Sequence, residues 1–212
     1  LDKHLPIATA LVELFEAKFS PWQDAEVDRK ARVAELTEQV SRAIDAVTVL
    51  DEDRMLRQYL SVITAMVRTN FYALDDPAET AGASPRRAAL AVKIEPRRLE
   101  FVRGPQPAHE IFVYSPQVEG VHLRFGKIAR GGIRWSDRAE DYRTEVMDLV
   151  KAQTVKNAII VPVGAKGGFY PLRLAGLEPA ARVAEARASY ATFITALLSV
   201  TERLADGDYS AR

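Results

Sequence analysis

The chain has 212 residues, with Lys+Arg and Asp+Glu balanced at 29 each and a formal net charge of zero, so neither nucleic acid nor an anionic membrane is its expected partner. Its 48% hydrophobic content suffices for one domain core, or for a domain with a helical appendage, and the absence of cysteine excludes disulfides and thiolate metal sites. No segment approaches the length of an uninterrupted membrane span, and Asp2, Pro6 and Glu13 break the first fifteen residues, so the expectation is a cytoplasmic protein without a signal peptide.

The first third reads as helical. Ser20-Pro21-Trp22-Gln23 combines an N-cap, a proline at the first helical position and a capping-box glutamine, predicting a charged helix to about Val49. Asp51 can cap the next helix, in which Leu56, Tyr59, Leu60, Ile63, Met66, Val67 and Phe71 make a broad apolar face that reads as packing. Arg68 and Asn70 read as polar contacts. Asp75 to Arg87, with Asp75-Asp76-Pro77, Gly82 and Ser84-Pro85 in quick succession, is the candidate linker. It divides a helical segment, residues 1–80, from an α/β domain, residues 86–212.

Beyond the linker the period changes. Ala89–Ile94, Glu110–Ser115 and Val121–Phe125 predict strands, broken by Pro96 and by the Gly104-Pro105-Gln106-Pro107 turn. Ser136 or Asp137 can cap a helix with Glu140 and Asp141 in its acidic first turn, running to about Asn157. At about 100° per residue, Tyr142, Val146, Leu149 and Val150 share an arc that also carries Gln153, Lys156 and Asn157, while Lys151 falls opposite. The apolar run Ala158–Val163 predicts a buried strand, and Gly164–Gly168 its exit. Glu178–Leu204 predicts a closing helix with Val183, Tyr190, Ile194 and Leu197 on one face. The architecture expected is α/β: a helical N-terminal segment followed by a mixed β-sheet layer with flanking helices.

Two lysines carry the chemistry. Burying Lys156 costs several kcal/mol unless something pairs with it, and an anionic ligand is one such partner; the plain alternative is a lysine that caps the last helical carbonyls and reaches water. Lys166, placed by this reading at a strand's C-terminal edge, sits between glycines that let a ligand approach the backbone. Its plain alternative is a glycine turn with a solvated lysine. A phosphate-binding loop fits poorly, because Gly167 stands where a Ser or Thr would hold magnesium and the upstream glycine is absent. His4, His109 and His122 lack metal-ligand spacing and read as surface or strand positions.

Arg130 to Phe169, which contains RGGIRWSDRAEDYRTEVMDLVKAQTVKN and GAKGGF, together with EGVHLRFGKIA just upstream and RTNFYAL at 68–74, resembles the large NAD-specific glutamate dehydrogenases of bacteria. In the smaller hexameric glutamate dehydrogenases the related segment reads Lys-Gly-Gly, a later Gln-x-x-Lys, and a glycine-rich loop with the catalytic lysine. The resemblance puts Arg130 in the place of the first lysine, which binds a substrate carboxylate, and Gly131 after it as the close-approach glycine. Gln153 and Lys156 match the Gln-x-x-Lys pair at the substrate's α-carboxylate, and Lys166 matches the catalytic lysine. Arg in place of Lys at 130 suits planar carboxylate binding, and the loop between Lys156 and Lys166 is shorter than in the hexameric enzymes.

The implied reaction is oxidative deamination of L-glutamate to 2-oxoglutarate and ammonia. Two carboxylates need two fixed cations, and neighbouring positive charge with partial desolvation favours a neutral Lys166 that can act as a base. The 212 residues contain no G-x-G-x-x-G, so NAD is expected on a domain outside this chain, as is the family's catalytic aspartate. The chain thus reads as a piece of a longer protein, inactive alone, whose parent is expected to be a homo-oligomer. The competing expectation is a non-catalytic regulatory or structural module that binds a dicarboxylate or a neighbouring subunit, although a scaffold needs none of Arg130, Gln153, Lys156 and Lys166.

Overall fold

A computed structural model of the chain describes residues 2–22, 28–73, 89–99, 101–102, 104, 106–126, 131–157 and 164–201, the side chains of 153–157 excepted. After a 3-10 turn at Asp2–His4, three helices follow: α1 (Leu5–Phe19), α2 (Arg29–Asp45) and α3 (Leu50–Ala65). They bury Ile7, Leu11, Val40, Ile44 and Leu56 in one apolar cluster and Leu14 with Leu36 in a second.

Helix boundaries here differ from expectation for local reasons. Ser20 ends α1 instead of opening a new helix, its N–H bonding Glu16 O at 2.8 Å. Pro21 disfavours helical backbone at the residue before it, and Ser20 is accordingly extended. Asp28 caps α2, accepting from Lys30 N at 2.9 Å and Ala31 N at 3.2 Å; Gln23 lies outside the described residues. Asp51 falls within the acidic first turn of α3, whose N-cap position is Val49. That helix also stops six residues before Phe71. The Lys18 ammonium donates to Ile63 O at 3.1 Å and Thr64 O at 2.5 Å, satisfying carbonyls of the last turn. Met66–Thr69 then leaves as a strand.

That strand, β1, is the first of six: β2 (Leu90–Ile94), β3 (His109–Tyr114), β4 (Val118–Arg124), β5 (Ile133–Trp135) and β6 (Ala165–Pro171). The sheet order is β1-β2-β3-β4-β6-β5, antiparallel except for the parallel pair β5 and β6. Between that pair runs α4 (Tyr142–Asn157), and α5 (Pro179–Ser199) closes the described chain. The mixed sheet with flanking helices agrees with the sequence reading. Residues 158–163, expected as a buried strand, and Asp75–Arg87, the expected linker, lie outside the described residues.

Each face of the sheet has its own cover. Val121 and Leu123 face Tyr142, Val146, Met147 and Val150 of α4. On the opposite face Val113, Val118 and Phe169 pack with Phe193, Ala196 and Leu197 of α5. The buried stripe of α5 is Ala186, Ser189, Phe193, Ala196 and Leu197, with Ile194 packed against the same core, so the second half of the expected face holds while Val183 and Tyr190 are 46% and 45% exposed. Phe193, fully buried and stacked on Phe169, sets the phase.

Asn70 gains a role the sequence did not reveal. Buried beside the end of β1, it donates to Ala89 O and Ser199 Oγ, both at 3.0 Å, and accepts from Ala91 N at 2.8 Å. One side chain therefore ties β1, β2 and α5 together.

His122 on β4 is partly buried, and burial with the Arg124 guanidinium nearby lowers its pKa below the usual imidazole range. In the window between that lowered value and the ordinary pKa of about 6.5, the unfolded chain binds the proton and the folded chain does not. The stabilisation is complete above the unfolded value and is lost as pH falls through the window. Melting temperatures at pH 7 and pH 5 should therefore differ less in His122→Gln than in the unmodified chain; an identical difference would place His122 outside the acid response.

Candidate functional site

The GAKGGFY segment is a strand, which corrects its reading as the exit from one. Lys166 stands second in β6, flanked by β4 on one side and β5 on the other, so the glycines are paired on both edges instead of turning. A phosphate-cradling loop is excluded with the turn. Lys166 pairs with Leu123, and opposed residues of an antiparallel pair share a face. Since Leu123 packs with Val146 and Val150, Lys166 belongs to the face covered by α4. It is partly buried, and among the described residues no carboxylate pairs with it.

The helix lies close to this strand because β6 has glycine where the two meet. A Cβ on Gly168 would stand 2.4 Å from Val146 Cγ2. The fully buried Val150 is one turn further on. In a β-α-β crossover the helix runs opposite to its strands, so the C-terminal end of α4 and the beginning of β6 lie at the same end of the sheet. Seven residues join Asn157 to Ala165.

The third component is the glycine pair that precedes β5. Gly131 is packed directly on the start of β6: a Cβ there would be 1.3 Å from Ala165 O. Gly132 O accepts from Gly167 N at 3.1 Å. Only glycine permits this approach, and it places Gly131 against the residue before Lys166.

A dense polar set fastens β5 to α4. Glu145 Oε1 meets Arg134 Nε at 2.7 Å, and Glu145 Oε2 accepts from Ser136 Oγ at 2.7 Å. Ser136 N donates to Phe169 O at 2.9 Å, while its hydroxyl accepts from Arg138 N at 3.1 Å. Ser136 is thus a buried connector ahead of a helix that begins at Tyr142, where Asp141 O accepts the bond from Glu145 N at 3.0 Å. On the same helix Arg143 grips Glu110 of β3 with two bonds, at 2.7 and 2.6 Å. These partners lie up to 33 residues apart, and no local sequence signal pairs them.

Of the five residues singled out by sequence, the structure brings Gly131 and Lys166 to one end of the sheet. Gln153 and Lys156 occupy positions in the C-terminal part of α4, their side chains outside the description, and Arg130 lies outside the described residues. Among the described residues no group of His, Asp and Glu could hold a metal ion, and no helix is long and apolar enough to cross a membrane.

Comparison with known proteins gives one consistent result. The family described as bacterial NAD-glutamate dehydrogenase, catalytic domain, matches residues 39–211. A protein of Pseudomonas aeruginosa named NAD-specific glutamate dehydrogenase is 49% identical over 210 residues, covering 98% of this chain and 13% of that protein. Proteins of the same name from Halomonas elongata and Mycobacterium tuberculosis are each 46% identical, over 98% and 96% of this chain and 12% and 13% of their own lengths. The chain therefore spans about an eighth of the relatives it matches. With the match extending over most of its length, the chain belongs to the bacterial NAD-glutamate dehydrogenase catalytic-domain family.

Proposed function

We propose that this chain is the substrate-binding part of an NAD-dependent glutamate dehydrogenase that converts L-glutamate to 2-oxoglutarate and ammonia. The observation that carries the reading is the seating of Gly131 on Ala165, immediately before Lys166, at the sheet end toward which α4 runs. Arg130 is covalently next to Gly131, and Lys156 belongs to the helix that runs toward the same end, which supports reading the two proposed carboxylate-binding positions together with Lys166.

In this reading Arg130 and Lys156 each hold one substrate carboxylate, with Gln153 beside the α-carboxylate. NAD, held by a domain outside this chain, would supply the hydride acceptor. Lys166 Nζ, as the neutral amine, takes a proton from the water that adds to the substrate iminium, and the carboxylate expected outside this chain carries the hydroxyl proton of the adduct to its nitrogen, so that ammonia leaves as the carbonyl forms. The proposal also takes residues 1–80 as a helical segment, residues 86–212 as an incomplete substrate-binding domain, and the parent as a homo-oligomer.

Carboxylates are present in the ground state and the transition state alike, so losing their partners should raise KM more than it lowers kcat. Removing one partner of a desolvated charge pair costs about 2–5 kcal/mol, or roughly 30-fold to several thousand-fold in affinity. Arg130→Gln and Lys156→Gln in the full-length enzyme, titrated with both dicarboxylates and with NADH, should show that increase for the dicarboxylates. Unchanged dicarboxylate KM with weakened NADH binding would turn these cations toward the cofactor and overturn the assignment.

A further inference from the structure

We propose that Glu145 is a positioning residue of the substrate site, setting the place of the Gly131–Gly132 pair relative to Lys166 through its hold on β5. The inference rests on the glutamate dehydrogenase reading above and adds to it a residue that touches no substrate.

The geometry has three parts. First, β5 is only three residues long and lies at the sheet edge, bonded to β6 on one side. Such a strand has few backbone bonds with which to resist sliding or lifting. Second, the Glu145 side chain is 13% exposed, and both of its carboxylate oxygens are engaged at 2.7 Å, one by Arg134 within β5 and the other by Ser136 just beyond it. A charged hydrogen bond is short and directional, and here the Glu145 end is largely shielded although the Arg134 side chain is 57% exposed. Third, the strand held this way continues backward into Gly132, whose carbonyl bonds Gly167 N, and into Gly131, which rests on Ala165.

The anchor on α4 is itself fixed. Val146, the next residue, sits against Gly168 of β6, and Arg143 is tied to the buried Glu110 of β3. Glu145 therefore transmits the position of a well-packed helix to a weakly paired strand, and through that strand to the glycine pair. Its loss should leave the core intact, because Val121, Leu123, Val146 and Val150 do not depend on it, and should loosen the placement of Gly131, and of the proposed carboxylate-binding Arg130 next to it in sequence, against Lys166.

The test compares Glu145→Gln with the unmodified full-length enzyme, with Asp148→Asn as a control on an exposed position of the same helix. Misplacement on the scale of an ångström costs up to about a hundredfold, so kcat/KM for 2-oxoglutarate should fall by about tenfold to a hundredfold, carried mainly by KM. Melting temperature, NADH affinity and the Asp148→Asn kinetics should stay near those of the unmodified enzyme. Since Arg134 acts through Glu145, the double variant Arg134→Gln/Glu145→Gln should be no worse than Glu145→Gln alone.

An unchanged KM in folded Glu145→Gln overturns the proposal. So does a loss of kcat, NADH binding and melting temperature together, which marks a purely structural residue. Should Glu145→Gln not fold, Ser136→Ala removes one of the two bonds, and KM must then rise with melting little changed for the proposal to stand. Failure of the underlying reading is separately visible: the unmodified enzyme would not turn over glutamate, or Lys166→Ala would not impair it.

Discussion

Lys166→Ala in the full-length enzyme is expected to lower kcat by at least about a hundredfold, the scale of general acid–base catalysis, while the melting temperature changes little. The fold should survive because the residue contributes to β6 through its backbone, paired with Leu123, and alanine keeps that pairing. The apolar packing beneath α4 comes from Leu123, Val146 and Val150, none of which is altered. Steady-state rates and thermal unfolding of the same preparation separate the outcomes. Activity that falls only as folded protein falls makes Lys166 structural, and near-normal turnover removes it from the chemistry.

Gly131→Ala should be as damaging by a different route. The added methyl would stand 1.3 Å from Ala165 O, far inside contact distance, so either the glycine pair or the first residues of β6 must move. A displacement of this kind next to Lys166 should cost about a hundredfold or more in kcat/KM, and backbone strain of this class destabilises by about 1–3 kcal/mol. Gly132→Ala is the matched control, because a Cβ there meets nothing within 4 Å. Normal kinetics and melting for Gly131→Ala would mean that the close approach to Ala165 is dispensable.

The legible parts of this fold were those with a strong period. The strands around Val92, Val113 and Leu123 announce themselves by alternation, and α4 by the spacing of Tyr142, Val146 and Val150. Where local chemistry and tertiary pairing disagreed, pairing won. Gly164–Gly168 reads as a turn from composition, yet β4 and β5 recruit it as the strand between them. Met66–Thr69 continues a helical pattern, yet β2 takes it as an edge strand.

The site was legible only as residue types. Nothing local predicts that Gly131 touches Ala165, and Glu145 gave no signal because Arg134 and Ser136 reach it only after the crossover has formed. Asn70 is the same case on a longer scale, joined to Ser199 across 129 positions.

The direction of α4 has an electrostatic consequence. Many anion sites lie at helix N-termini, where free N–H groups and the positive end of the helix dipole supply part of the attraction. Here the C-terminal end of α4 points toward the beginning of β6, so the helix contributes about half a negative elementary charge to that end of the sheet. On the reading proposed above, a dicarboxylate arriving there works against this field, which side-chain cations have to offset. In that reading the proposed cations, Arg130 and Lys156, first offset the protein's own backbone, and their surplus is left for the substrate.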